Sequence, residues 1–100
     1  IFFALNSAKI QDDQQAKLVS LIEYLETHPA AKISITGYAD VNTGNPKINS
    51  KLSEKRAVNV AEALKVKGIA ADRIKIDFKG DTVQPYATPE ENRVSICIAE

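Results

Sequence analysis

Two residues have the chemical types and spacing of a binding site, Asp40 and Arg56. Asp40 stands at the end of a predicted strand, and Arg56 lies near the start of a predicted helix after a polar loop at 41–48. One anionic and one cationic group suit a zwitterion, such as an amino-acid head group, because a guanidinium group binds a carboxylate through two parallel hydrogen bonds. The sequence therefore predicts a zwitterion site between the strand end and the helix.

Arg56 also has a purely structural interpretation. It falls in one i, i+4 row with Leu52, Val60 and Leu64, at the flank of the apolar stripe that the helix buries. An arginine in that place can lay its aliphatic stem on the core and keep its charged head in water. From the residues alone, both interpretations of Arg56 stay open.

Composition and charge restrict the function classes. The chain has 100 residues, which suits one domain, and 44% hydrophobic with 26% charged residues is typical of a soluble globular protein. Thirteen basic and thirteen acidic residues cancel, so nothing in the charge favours nucleic acid or an anionic membrane. No apolar run approaches the roughly 20 residues that span a bilayer. We expect no nucleic-acid partner and no membrane insertion by this domain.

The beginning of the chain and its single cysteine carry further expectations. There is no Met anywhere, and Ile1 opens directly into an apolar run, so we expect a piece of a longer protein whose targeting or anchoring segment lies elsewhere. Cys97 is the only cysteine, permits no internal disulfide and leaves the redox compartment undetermined.

The sequence contains no recognisable catalytic or cofactor motif. His28 is the only histidine and is far from Cys97 in sequence, which disfavours a metal site and a Cys–His nucleophile. Gly44 and Gly80 are isolated, so no phosphate-binding loop is predicted. We expect no enzyme, no cofactor and no metal.

Hydrophobic periodicity predicts the order β-α-β-α-β-β. The predicted strands are 1–5, 32–36, 73–78 and 94–99, and the third should turn Ile74, Ile76 and Phe78 inward. The first helix should run from caps at Asp12 and Asp13 to His28-Pro29, and the second from about 49 to 67. We expect an α/β two-layer sandwich with a mixed four-stranded sheet and both helices on one face.

The spelling of the central segment is more specific than its periodicity. It resembles the signature of the OmpA-like C-terminal domain, found in OmpA-family outer-membrane proteins and peptidoglycan-associated lipoproteins. The resemblance covers the whole chain through several motifs in order: Phe3 with Ser7, Gly37-Tyr38-Ala39-Asp40, Asn49, Leu52-Ser53, Arg56-Ala57, Gly68-Ile69, Arg73-Ile74 and Asn92-Arg93-Val94. Three features depart from the usual pattern: Tyr38-Ala39 replaces His-Thr, the loop before Arg56 is about one residue longer, and one Arg precedes Val94 instead of two.

The resemblance implies non-catalytic binding of peptidoglycan through the diaminopimelate residue of its stem peptide. Asp40 would take the ligand's ammonium group and Arg56 its carboxylate. Asn49 would cap the second helix, fasten the loop and contact the ligand. Arg93 would form a second wall from the last strand, and Asn6 would add a contact from the first loop.

The resemblance also implies a location and a role. Residues 1–100 would be one peptidoglycan-binding domain that tethers the outer membrane to the cell wall from the periplasmic side in a Gram-negative bacterium. Two alternatives stay open: the periplasmic anchor of a flagellar stator, and a protein-interaction or oligomerisation module in which Asp40 and Arg56 form an internal salt bridge. A homodimer formed through the full-length protein is also left open.

Overall fold

The computed structural model describes residues 1–100, which form two helices and a three-stranded mixed sheet. The elements are α1 (Gln15–Thr27), β1 (Ile33–Gly37), α2 (Pro46–Val66), β2 (Ile74–Phe78) and β3 (Ser95–Ala99). Short 3-10 turns lie at Asp12–Gln14, Ala71–Arg73 and Glu90–Asn92. The strand order is β2-β1-β3, with β1 parallel to β2 and antiparallel to β3. The predicted α/β fold with a mixed sheet is confirmed, and the predicted fourth strand is wrong.

The segment predicted as the first strand pairs with the sheet only briefly. Ile1 exchanges two backbone hydrogen bonds with Ser95, and Phe2 forms an isolated bridge with Val94. The chain turns away after Phe3, where Asn6 adopts a left-handed φ of 53°. The prediction of a strand at 1–5 is therefore wrong. Ile1 and Phe3 are buried, but an apolar segment can be buried without forming a strand.

The core lies between one face of the sheet and the two helices. Ile33 and Ile35 of the central strand β1 are fully buried, as their alternation predicted. Both helices contribute to the same core cluster, so they cover the same face of the sheet. The buried helical residues in that cluster are Leu18, Ile22, Leu25, Ala57, Val60, Ala61 and Leu64.

Strand β2 is an edge strand and is less buried than predicted. Its register with β1 aligns Ile74 with Ile33 and Ile76 with Ile35, so the predicted inward face is correct. Ile76 and Phe78 are nevertheless 38% and 39% exposed, because β2 has a neighbouring strand on one side only.

Helix α2 begins earlier than predicted. Asn45 is the N-cap, its side chain accepting a hydrogen bond from Ile48 N, and Pro46 occupies the first turn. Proline suits that position because its fixed φ is helical and its missing N–H would have no helical partner. Asn49, the predicted cap, therefore lies inside the helix. Neither α2 nor any other helix has the length and apolar character needed to cross a membrane.

The C-terminal end of β1 lies directly against α2. A Cβ atom at Gly37 would collide with the carbonyl oxygen of Ser53 on α2. Only glycine permits this approach of strand to helix. It places the residues after β1, including Asp40, beside the first turns of α2.

Candidate functional site

Arg56 ties three separate backbone segments to α2. Its Nε donates to Ser7 O at 2.9 Å, Nη1 to Tyr38 O at 2.9 Å, and Nη2 to Ala4 O at 3.2 Å. These carbonyls belong to the N-terminal segment and to the residues just after β1. The guanidinium group thereby holds two loops at the same end of the sheet.

The Arg56 side chain is buried and not snorkelling. It is 1% exposed, and its guanidinium carbon lies 5.4 Å from the centre of the Phe3 ring. Burial lowers the pKa of Arg56 to about 10, although Asp40 acts in the opposite direction. Three carbonyl bonds leave two of the N–H donors of a guanidinium group for another acceptor. Arg56 therefore has a structural role, and it keeps donors that a carboxylate could use.

Asp40 is held by internal donors at the end of β1. Its Oδ2 accepts from Arg93 Nε at 2.8 Å and its Oδ1 from Thr43 Oγ1 at 2.9 Å. The Asp40 side chain is 2% exposed and that of Arg93 is 17% exposed. Burial alone would raise the pKa of Asp40, but the hydrogen bonds from Arg93 and Thr43 outweigh it and leave the pKa below its ordinary value. Asp40 is thus ionised at neutral pH and already paired.

The ion pair of Asp40 differs from the one that the interaction-module alternative assumed. Asp40 pairs with Arg93, and Arg56 forms no ion pair. The internal Asp40–Arg56 salt bridge of that alternative is therefore wrong. The physical reason is that the guanidinium group of Arg56 binds backbone carbonyls. Arg93 lies close to Asp40 because the next residue, Val94, accepts a hydrogen bond from Tyr38 N just after β1.

Asn49 fastens the loop between Asp40 and α2, as predicted. Its Nδ2 donates to Thr43 O at 2.8 Å, to Asp40 O at 3.3 Å and to Asp81 Oδ2 at 3.0 Å. The residue is 2% exposed. Asn49 therefore fixes the backbone on both sides of the Asp40–Thr43 turn from inside the helix.

A second loop, at 79–84, contacts the backbone on both sides of Asp40, and this contact was not predicted. Ser53 Oγ accepts from Gly80 N at 2.9 Å, and Gly80 O accepts from Ala39 N. Gln84 brackets the same strand end, since its Nε2 donates to Ala39 O and its Oε1 accepts from Val41 N. The separation of these residues in sequence gave no signal. One local signal existed, because an Asp at the start of a polar loop favours hydrogen bonds from its own side chain to the residues that follow it, as Asp40 does with Thr43.

A cleft of about 430 Å³ opens between the segment at 4–7, which Arg56 binds, and the turn that follows Asp40. Of the predicted site residues only Asn6 lines it; Asp40, Asn49, Arg56 and Arg93 do not. On one side the cleft is lined by Asn6, which lies between the two residues, Ala4 and Ser7, whose carbonyls bind Arg56. On the other side it is lined by Gly44, which follows the Asp40 partner Thr43. The remaining lining residues are Ile48, Lys51, Leu52 and Lys55. Lys51 and Lys55, one helical turn apart, were not predicted to contribute, and they make the wall of this cleft cationic.

A larger groove of about 590 Å³ lies along α1 and β3. It is mostly apolar, with Phe2, Leu21, Tyr24 and Tyr86 in its walls, and it includes none of the predicted site residues. No three or more His, Cys, Asp or Glu side chains come together as a group that could hold a metal ion. Asn6 and the two lysines, Lys51 and Lys55, therefore favour the smaller cleft as the candidate recognition site.

The fold and this site together define a small α/β domain whose charged groups are fixed at the C-terminal edge of the central strand. The chain belongs to the OmpA family, whose model matches residues 2–95. The residues carrying the resemblance, Asp40, Asn49, Arg56 and Arg93, converge on this edge of the molecule.

Known proteins agree with the family assignment. The chain is 41% identical over 99 residues to outer membrane protein 40 of Porphyromonas gingivalis, covering 99% of the chain and 26% of that protein. The crystal structure of the peptidoglycan-associated lipoprotein from Burkholderia pseudomallei superimposes with a TM-score of 0.92 at 27% identity, covering 100% of this chain and 88% of that one. The C-terminal domain of MotB from Helicobacter pylori, with a TM-score of 0.81 at 19% identity and coverage of 99% and 81%, shares the fold.

Proposed function

We propose that the chain binds peptidoglycan non-covalently and without catalysis, through the diaminopimelate residue of the stem peptide. The observation that carries the proposal is the convergence of Arg56 and the Asp40–Arg93 pair at the C-terminal end of β1, next to a cleft that Asn6 and Gly44 line. The likeness to a peptidoglycan-associated lipoprotein over the whole chain supports the same ligand.

The proposal gives each predicted site residue a task. Arg56 uses its remaining donors on a carboxylate of the ligand, and Asp40 faces the ammonium group on the same carbon. Asn49 keeps the backbone around Asp40 fixed, Arg93 lies beside Asp40 as a second wall, and Asn6 lines the cleft. Fixed polar groups lower the ordering cost of binding, which matters for a small polar ligand.

The role of the whole protein extends the proposal. The chain spans only about a quarter of the length of its Porphyromonas relative. Residues 1–100 would be the wall-binding domain of a longer envelope protein that tethers the outer membrane from its periplasmic side. Weak single contacts suffice for a tether, because many stem peptides face many anchored copies. The fold is also that of the MotB domain, so a flagellar-stator anchor stays the alternative.

The test is an NMR titration of the domain with a diaminopimelate-containing muropeptide, with a lysine-containing one as the comparison ligand. We expect shifts at 38–56 and at Arg93, and weak or absent shifts with the lysine ligand. The variants Asp40→Asn and Arg56→Lys should weaken binding by at least about tenfold, the value of one charge-assisted hydrogen bond.

Arg73→Lys provides a matched control for Arg56→Lys. Arg73 also donates to three backbone carbonyls, but it does so at the other end of β1. Both variants replace a guanidinium group that holds loops, and only Arg56→Lys should lose the ligand. Equal loss of binding in the two variants, or unchanged binding in Arg56→Lys, would overturn the site assignment.

A further inference from the structure

Two lysines beside the proposed diaminopimelate site have no task in the proposed function. Lys51 and Lys55 are exposed on α2, line the cleft of about 430 Å³ and lie one helical turn apart. Neither belongs to an ion pair, and no acidic residue lines the cleft. Like charges at this spacing repel each other on a helix, so an anion bound between them would be stabilised by both.

The same cleft has an apolar part. Ile48 and Leu52 line it, and Ile48 is 52% exposed. On the other side of the cleft, Asn6 is exposed in a left-handed turn with a φ of 53°, and its side-chain amide carries N–H donors. An apolar surface next to two ammonium groups and an amide suits a small group that combines a methyl with a carboxylate.

The cleft lies along α2 on the N-terminal side of Arg56. Leu52 is one helical turn before Arg56, and Ile48 is one turn further, so each step is about 6 Å along the helix axis. The methylene chain of diaminopimelate separates its distal carbon from the peptide main chain by roughly one such step. With the distal carbon at Arg56, the main chain of the ligand would pass Leu52, and the next residue of the stem peptide would reach Ile48 and Lys51.

We infer that this cleft is a second subsite, which binds the alanine that follows diaminopimelate in a stem peptide that is not cross-linked. Lys51 and Lys55 pair with the free carboxylate of this alanine, Asn6 donates to it, and its methyl group covers Ile48. The inference rests on the proposed function and extends it to the neighbouring residue. Cross-linking converts this carboxylate into an amide, so the domain would prefer stem peptides with free ends.

Another carboxylate of the same ligand could also pair with the two lysines. The glutamate that precedes diaminopimelate in the stem peptide has a free carboxylate, but it has no methyl group for Ile48. The exposed apolar surface of the cleft therefore favours the alanine. Amidation of one carboxylate at a time distinguishes these two sources of negative charge.

Three diaminopimelate tetrapeptides test the inference on the unaltered domain by calorimetry or NMR titration: one unmodified, one amidated at the terminal alanine, and one amidated at the glutamate. We expect the unmodified peptide to bind about fivefold more tightly than the terminal amide, the value of two exposed ion pairs. The glutamate amide should bind within about twofold of the unmodified peptide. The fivefold preference should shrink in about 1 M salt, which screens exposed charges.

The double variant Lys51→Gln, Lys55→Gln should reduce the preference for the unmodified peptide over the terminal amide from about fivefold to about one. Lys67→Gln is the matched control. Lys67 is an exposed cation that belongs to no ion pair, and it follows the C-terminal end of the same helix, far from the cleft. This variant removes the same charge from α2 and should keep the fivefold preference.

The outcomes separate this inference from the proposed function. Equal binding of the unmodified peptide and the terminal amide to the unaltered domain would overturn the inference and leave the proposed function standing. An unchanged preference in the double variant would do the same. Weaker binding on amidation of the glutamate, and not of the alanine, would overturn the assignment of the cleft to the alanine. Binding of none of the tetrapeptides would overturn both the inference and the proposed function.

Discussion

Each end of the central strand β1 is held by an arginine whose guanidinium group donates to three backbone carbonyls. At the N-terminal end, Arg73 binds Ala31 O, Leu25 O and His28 O. At the C-terminal end, Arg56 binds Ser7 O, Tyr38 O and Ala4 O. The same type of interaction, an arginine bound to three carbonyls, thus stabilises the loops at both ends of β1.

The surroundings of the two arginines differ. Two of the carbonyls that bind Arg73 lie at the C-terminal end of α1, where the helix dipole favours a cation. Those that bind Arg56 come from irregular segments, and an ion pair and a cationic cleft lie beside it. A carbonyl-bound arginine is therefore a structural clamp by itself. The neighbouring charges and the open cleft are what make the Arg56 end a candidate recognition site.

Arg56→Ala should have the largest effect on stability, and it tests whether Arg56 holds the loops at the C-terminal end of β1. We expect the free energy of unfolding to fall by about 3 kcal/mol or more, because three charge-assisted hydrogen bonds and the packing of a buried side chain are lost together. Urea denaturation measures this value. A fall below about 1 kcal/mol would show that the loops at this end do not depend on Arg56.

Arg73→Ala should give a smaller loss of stability and no loss of ligand. His28 is exposed and Arg73 is partly exposed, so water can replace part of what the variant removes. We expect a fall of about 1 to 2 kcal/mol in the free energy of unfolding. The same titration with the diaminopimelate muropeptide should give an unchanged affinity. A matching fall in affinity would mean that the two ends are coupled through β1.

Acid titration should give the smallest effect and is specific to the Asp40 end. The pKa of Asp40 in the folded domain lies below its ordinary value of 3.8. Its stabilising contribution is therefore complete above pH 3.8 and is lost as the pH falls through the folded pKa. We expect this contribution to be below about 1 kcal/mol, because solvent reaches Arg93 and screens the pair.

The measurement for Asp40 is the difference in unfolding free energy between the unaltered domain and Asp40→Asn, followed from neutral pH to about pH 2.5. This difference should shrink as the pH falls below 3.8. The same comparison in an Arg93→Gln background should be weaker, since the main partner is gone. A difference that does not change with pH would contradict the pairing of Asp40.

The elements that the sequence predicted correctly are those whose formation depends on residues close together in the chain. The alternation at 33–37 predicted β1, and the 3.6-residue period predicted both helices, because burial of one face repeats along the element itself. The first strand was wrong, because an apolar run can be buried without a continuous ladder. The exposure of Ile76 and Phe78 depended on the position of β2 at the sheet edge, which no local pattern reports.

The sequence by itself determined the family, the α/β class and the residues that would gather at one strand end, because these rest on spelling and periodicity along the chain. Only the tertiary structure decided how those residues are paired. In the folded chain Asp40 forms an ion pair with Arg93, which is 53 positions away in sequence. Arg56 donates hydrogen bonds to backbone carbonyls as many as 52 positions away. Partners so distant meet only when the strand order and the loops are fixed, so the charge balance of the site is a property of the folded chain.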